Sequence, residues 1–167
     1  VKNGHVDVAK VLLENGADVN AVDKDKDTAL HSAARYGHVD VVKVLLENGA
    51  DVNSVMRYEE SPIHLAAEGG HVDVAIVLLE NGADVTAVTT HKSTALHLAA
   101  REGHVDVGKV LLQNGSDINA FAKVMASNTS VLNLASSNNH VSFVLLLLCF
   151  GAEINEYAIA YDATGLL

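Results

Sequence analysis

Apolar and polar positions along this chain come in short runs that recur. In the stretch beginning at Val39, residues Val39, Val42, Leu45 and Leu46 fall at i, i+3, i+6 and i+7, one face of a helix, with Lys43 and Glu47 outside. The same run opens as His-Val-Asp-Val at His5, His38, His71 and His104, 33 residues apart, and His140-Val-Ser-Phe follows 36 further on. A shorter helical stretch precedes most of these runs. Thr28, Ser61, Thr94 and Ser130 stand at its start, where a hydroxyl accepts from an orphan helix N–H. Pro62 follows its cap at the first helical position, where the missing N–H costs nothing. The small pairs Ala33-Ala34, Ala66-Ala67, Ala99-Ala100 and Ala135-Ser136 let neighbouring backbones approach. Gly37, Gly70 and Gly103 turn the chain back between the two helices, and Asn139 takes that place in the last copy. The pattern predicts helix-turn-helix units whose apolar faces only a neighbouring unit covers.

Three further strings share this register: Thr28-Ala-Leu-His, Ser61-Pro-Ile-His and Thr94-Ala-Leu-His; the Leu-Ala-Ala runs; and Asn-Gly-Ala-Asp-Val from Asn15, Asn48 and Asn81, varied as Asn114-Gly-Ser-Asp-Ile. At this period they resemble the ankyrin repeat, from Val1 to Asn155 and most strongly from Asp18 to Asn119. The resemblance implies an all-α fold, an ankyrin-repeat solenoid of stacked helix-turn-helix units joined by β-hairpin-like loops. Residues 1–167 then form a single domain. It divides into a partial repeat at 1–22, full repeats at 23–55, 56–88 and 89–121, a degenerate, lengthened repeat at 122–157 and a C-terminal tail at 158–167.

Composition narrows the partners. Apolar residues make up 49 % of the chain and aromatics only 4 %, so Leu, Val and Ala must build the core. A formal charge of −10 argues against nucleic acid, which is held by cations on phosphates, and against anionic membranes. The apolar run from Val144 to Phe150 is far shorter than the roughly 20 residues a membrane-spanning helix needs, so no membrane insertion is expected. Cys149 has no second cysteine to pair with, and a reducing cytoplasmic or nuclear setting is expected.

Nine histidines raise the question of a metal. Eight of them occupy repeat-locked positions, and identical repeat positions form rows along a stack, not a point of convergence. The resemblance implies that the Thr/Ser-x-x-His histidine bonds its own cap and neighbouring backbone, and that the Gly-His histidine supports the turn. Cys149, in the apolar Leu145-Leu-Leu-Leu-Cys-Phe, is expected to be an inert thiol. No catalytic, metal or cofactor site is expected, and the protein is not read as an enzyme.

If the period sets the scaffold, exposed positions that vary between copies are the candidates for recognition. By resemblance these are the loop tips and the ends of the first helices. The candidates are Lys24, Asp25, Asp27, Arg35, Tyr36, Met56, Arg57, Tyr58, Glu60, Glu68, Thr90, His91, Ser93, Arg101, Glu102, Lys123 and Met125. Tyr, Arg and Met are enriched at interfaces. The leading reading is a protein–protein interaction module presenting a concave surface, the adaptor part of a larger protein, with a partner of unknown identity. A structural spacer and an engineered ankyrin binder are the alternatives.

Departures from the period carry their own expectations. Lys26, Glu59 and Lys92 stand where the family has a tip glycine, so those residues either adopt a left-handed conformation or the turns differ. Three extra residues within Phe121–Thr129 should make the fourth tip protrude, through a binding role or relaxed selection. Leu145, Cys149 and Phe150 replace Lys43, Glu47 and Asn48 on an outward face, which points to end-to-end self-association or further chain. Gly108, where other copies have Val42 or Ala75, predicts that Gly108→Ala stabilises the stack by on the order of 1 kcal/mol.

Overall fold

A computed structural model of the chain describes residues 3–124 and 127–154, with backbone alone at 123, 124, 127 and 128. Its elements are α1 (Val6–Glu14), α2 (Ala29–Arg35), α3 (Val39–Glu47), α4 (Pro62–Gly69), α5 (Val72–Glu80), α6 (Ala95–Glu102) and α7 (Val105–Gln113). The strands β1 (Phe121–Val124) and β2 (Ser127–Ser130) follow, then α8 (Val131–Ser137) and α9 (Val141–Cys149). Helices α2, α4, α6 and α8 pack in one row, and α1, α3, α5, α7 and α9 in a second. The first row is the more closely packed, because Ala33, Ala34, Ala66, Ala67, Ala99 and Ala100 are fully buried there and hold the backbones close. A stack whose rows are unequally spaced bends toward the tighter one, so the first-helix row lies on the concave side.

The expected caps form. Thr28, Ser61, Thr94 and Ser130 are the N-caps of α2, α4, α6 and α8, all in extended backbone. His31 Nδ1 lies 2.8 Å from Thr28 Oγ1 and accepts from the Thr28 N–H at 3.3 Å. Its Nε2 lies 3.0 Å from the Ser54 carbonyl. A carbonyl only accepts, so Nε2 carries the proton and Nδ1 is the acceptor. His64 and His97 repeat the arrangement, reaching Ala87 O and Ala120 O at 3.1 Å. Each of these rings is fully buried and satisfied only as the neutral tautomer. Burial, the largest cause, holds all three pKa values below 6.5, that of His97 at about 4.

The Gly-His histidines do more than support a turn: they join units. Nε2 of His71, His104 and His140 donates back to the carbonyls of Arg35, Glu68 and Arg101 at 3.0, 3.0 and 2.9 Å. The rings rest on the turn of the preceding pair. A Cβ at Gly37 would lie 2.5 Å from His71 Nδ1, and one at Gly70 would lie 2.6 Å from His104 Nδ1. Those glycines are therefore required twice, for positive φ and for the neighbour's imidazole. Asn139 adopts the same left-handed turn at φ 59°.

A second joint links the loops. Asn20 Nδ2 donates to Gly49 O at 3.1 Å while its Oδ1 accepts from the Asp51 N–H at 2.9 Å. Asn53 clamps Gly82 and Asp84 in the same way, at 3.1 and 2.8 Å. Asn119 Oδ1 accepts from Glu153 at 3.1 Å. The third copy has Thr86 instead, whose hydroxyl turns to its own loop's Asp84 Oδ1 at 2.7 Å.

Several expectations are corrected. The second helices bury more than the predicted face: Val41 and Val44 are buried beside Val42 and Leu45, while Val39 and Leu46 are only half-buried, because each such helix is packed between two neighbours as well as its own partner. Cys149 is exposed at the end of α9, and the length of α9 separates it from His140. In keeping with the hairpin-like loops expected, Phe121–Val124 pairs antiparallel with Ser127–Ser130, Phe121 opposite Ser130 and Val124 opposite Ser127. Gly108 is buried, and a Cβ there would lie 2.5 Å from Phe143 Cζ and 2.7 Å from Cε2, so adding a methyl group strains the stack instead of stabilising it. The outward faces of the end helices are apolar as expected, with Val8, Val11 and Leu12 on α1, Val141 and Leu145 on α9 and Phe150 at its C-cap exposed.

Ser116 replaces the alanine found at positions 17, 50, 83 and 152, and its Oγ is buried with no hydrogen-bond partner among the described residues. Ser116→Ala is expected to raise stability by about 1 kcal/mol, the desolvation penalty of an unpaired hydroxyl. Chemical denaturation would read this as a higher midpoint at unchanged slope, and a lower midpoint would contradict it.

Candidate interaction surface

The loop tips are narrow turns closed by main-chain bonds. Asp23 N–H donates to Asp27 O at 3.1 Å, Met56 N–H to Glu60 O at 2.9 Å and Thr89 N–H to Ser93 O at 3.0 Å. The Asp23 carboxylate accepts from the amides of Asp25 and Asp27, and Thr89 Oγ1 from those of His91 and Ser93. The glycine-less tips keep the left-handed turn: φ is 63° at Lys26, 59° at Glu59 and 59° at Lys92, with Tyr58 at 68° beside Glu59. A non-glycine residue held there stores roughly 1–2 kcal/mol. Lys26→Gly and Lys92→Gly are each expected to stabilise the chain by up to about 1 kcal/mol, that penalty less the entropy glycine adds to the unfolded state. Thermal unfolding of the two variants measures this, and a lowered midpoint in both would refute the strain.

The tips join one another. Arg57 N–H donates to Asp25 O at 3.1 Å, and Thr90 N–H to Tyr58 O at 2.9 Å, so three tips form one hydrogen-bonded strip. Side chains reinforce it. Arg57 Nη1 lies 3.5 Å from Asp25 Oδ1, its guanidinium sits 6.0 Å from the Tyr58 ring centroid, and Tyr58 meets the His91 ring at 6.4 Å. Tyr58 nevertheless remains 56 % exposed and Tyr36 47 %.

Beside this strip, the first-helix ends place Arg35, Glu68, Arg101 and Glu102 on the concave side. Arg101 Nη2 bonds Glu68 Oε1 at 2.6 Å and its Nε bonds Glu102 Oε1 at 2.7 Å. Arg35 Nη2 approaches Met56 Sδ at 3.1 Å, a weak acceptor. Glu60 lies half-buried among them. Burial, then the nearby Glu68, raises its carboxyl above the ordinary range, while Arg35, Arg101 and His91 oppose that shift.

Among the sequence-derived candidates, contacts join Asp25, Arg57, Tyr58, Thr90 and His91 along the tips, Arg35 with Met56, and Glu68 and Glu102 with Arg101. Lys24, Arg35, Tyr36, Arg57, Tyr58, Glu68, Thr90, His91, Arg101 and Glu102 are exposed, and Asp25, Asp27, Met56, Glu60 and Ser93 partly so. Lys123 belongs to β1, paired with Asn128, and nothing is described of its side chain; Met125 lies outside the described residues. Lys26, Glu59 and Lys92, marked in the sequence by the missing glycine, are exposed beside these candidates. Charge is spread unevenly. Asp7, Asp40, Asp73 and Asp106 open the second helices and Glu14, Glu47 and Glu80 close them, with Lys10, Lys43 and Lys109 between, whereas tips and first helices mix acids with Lys24, Lys26, Arg35, Arg57, Lys92 and Arg101.

Among the described residues no three His, Cys, Asp or Glu side chains are grouped to hold a metal ion, and no helix is long and apolar enough to cross a membrane. A family model described as "Ankyrin repeats (3 copies)" matches residues 1–56, 53–122 and 86–158. Those matches run over nearly the whole length of the two helix rows, and the chain belongs to the ankyrin-repeat family.

Proposed function

We propose that this chain is the protein-recognition part of a larger adaptor, and that it grips its partner with the tip strip and the concave first-helix row. Ankyrin repeats generally act as protein–protein interaction modules, and the family is typically non-enzymatic. One observation carries the placement of the site: main-chain bonds from Arg57 to Asp25 and from Thr90 to Tyr58 weld separate loops into a single support for exposed Arg57, Tyr58 and His91. A preorganised support of this kind lowers the ordering entropy that binding must overcome. Residues held in left-handed backbone at all three tips support the same placement, because strain of this kind clusters at functional sites.

The test is affinity capture by the parent chain, by Tyr36→Ala/Arg57→Ala/Tyr58→Ala, and by a second-helix control, Lys43→Ala/Lys109→Ala. A defined partner retained by parent and control but lost by the triple variant is expected. Equal retention by all three would move the site elsewhere. Absence of any saturable partner would favour a spacer.

A further inference from the structure

The stack is not jointed uniformly. Between α1 and α3, and again between α3 and α5, a loop asparagine clamps the next loop with two bonds, from Asn20 and Asn53. Between α7 and α9, Asn119 takes the Glu153 amide. The joint between the α4–α5 pair and the α6–α7 pair has no such clamp. There Thr86 spends its hydroxyl on Asp84, and the Gly115 carbonyl and Asp117 amide that an asparagine would engage have no side-chain partner among the described residues. The buried, unpartnered Ser116 Oγ lies between those two groups in the chain. The joint keeps the bonds from His64 to the Ala87 carbonyl, from His104 to the Glu68 carbonyl and from the Thr90 amide to Tyr58 O, and on the concave side it adds the Glu68–Arg101 ion pair at 2.6 Å, with both side chains more than two-fifths exposed. Exposed pairs are weak and screened by salt.

We propose that this joint is a hinge, unclamped at Thr86 on the loop side and latched by Glu68–Arg101 on the concave side. A partner that engages Glu68 or Arg101 competes for the latch, so occupation of the concave face resets the curvature of the stack at this one joint. The coupling to binding rests on the function proposed above; the hinge itself does not, and is measured with no partner present.

Spin labels in a Cys149→Ser background provide the measurement. A pair at Lys43→Cys and Lys109→Cys spans the hinge, while Lys10→Cys and Ile76→Cys spans two clamped joints over an equal number of helix pairs. The hinge-spanning pair is expected to give the broader distance distribution. Thr86→Asn, which restores the clamp, should narrow it to the width of the control, and Glu68→Gln or salt near 1 M, where charges are screened within about 3 Å, should broaden it further. Equal widths for the two pairs in the parent chain would overturn the hinge. A width unmoved by Thr86→Asn would overturn the assignment to the missing clamp.

Discussion

Phe143→Ala is expected to destabilise the stack by about 3–5 kcal/mol, the range for emptying a fully buried aromatic site. Phe143 stands where earlier copies carry Val41, Val74 and Val107, and its ring is completely buried. The space for it comes from Gly108 in the preceding helix pair, at a position filled by Val42 and Ala75 elsewhere. The two departures are one compensated exchange, a large residue fitted to a small one. Gly108→Ala in the presence of Phe143 is therefore expected to cost about 1–3 kcal/mol by overpacking, which exceeds the helix propensity it gains. Phe143→Val combined with Gly108→Ala recreates the Ala75 and Val107 pairing of the earlier joint. The double variant should be more stable than the two single changes predict together, an interaction that a double-mutant cycle isolates. Additive effects in urea denaturation would show that ring and glycine do not share the space.

Acidification is expected to weaken the fold steeply before its carboxylates protonate. His31, His64 and His97 are neutral in the folded chain, each ring nitrogen committed to a partner, and all three pKa values are lowered by burial. In the unfolded chain they take up protons near 6.5, whereas folded His97 resists until about 4. Between those values the unfolded state holds more protons. Stability is therefore highest above 6.5, falls as pH drops through the window, and stops falling on this account below about 4. At about 1.4 kcal/mol per unit, His97 alone contributes a loss on the order of 3 kcal/mol, and His31 and His64 add in the same direction. His97→Asn, copying Asn133 of the last copy, removes one titrating group and should flatten the dependence while lowering stability at neutral pH. Denaturation midpoints across the window decide it: identical slopes for parent and variant would exclude His97 as the source.

The surface proposed for binding was legible in part. The tips and first-helix ends followed from asking where copies differ. Sequence alone could not show that Arg57 and Thr90 bond the neighbouring tips, because main-chain bonds between loops 32 residues apart leave no mark on residue type. It could not show that Arg101 is paired twice while the Arg35 guanidinium approaches a thioether, since side-chain pairing depends on how closely successive helices approach.

A 33-residue period written in Thr, His, Gly and Leu determines by itself the helix pairs, their caps and their turns, because each depends on residues close in the chain. The buried histidines and the left-handed Asn139 were also local matters. Only the tertiary structure decided what each exception means. Gly108 looked like a weak helix residue until Phe143, 35 positions later, was found against it; that Thr86 omits a bond made by Asn20 and Asn53 shows only in the neighbouring loops. In a stack whose stability resides in the interfaces between units, the period specifies the unit, and the spatial neighbour determines whether a departure strengthens the interface or loosens it.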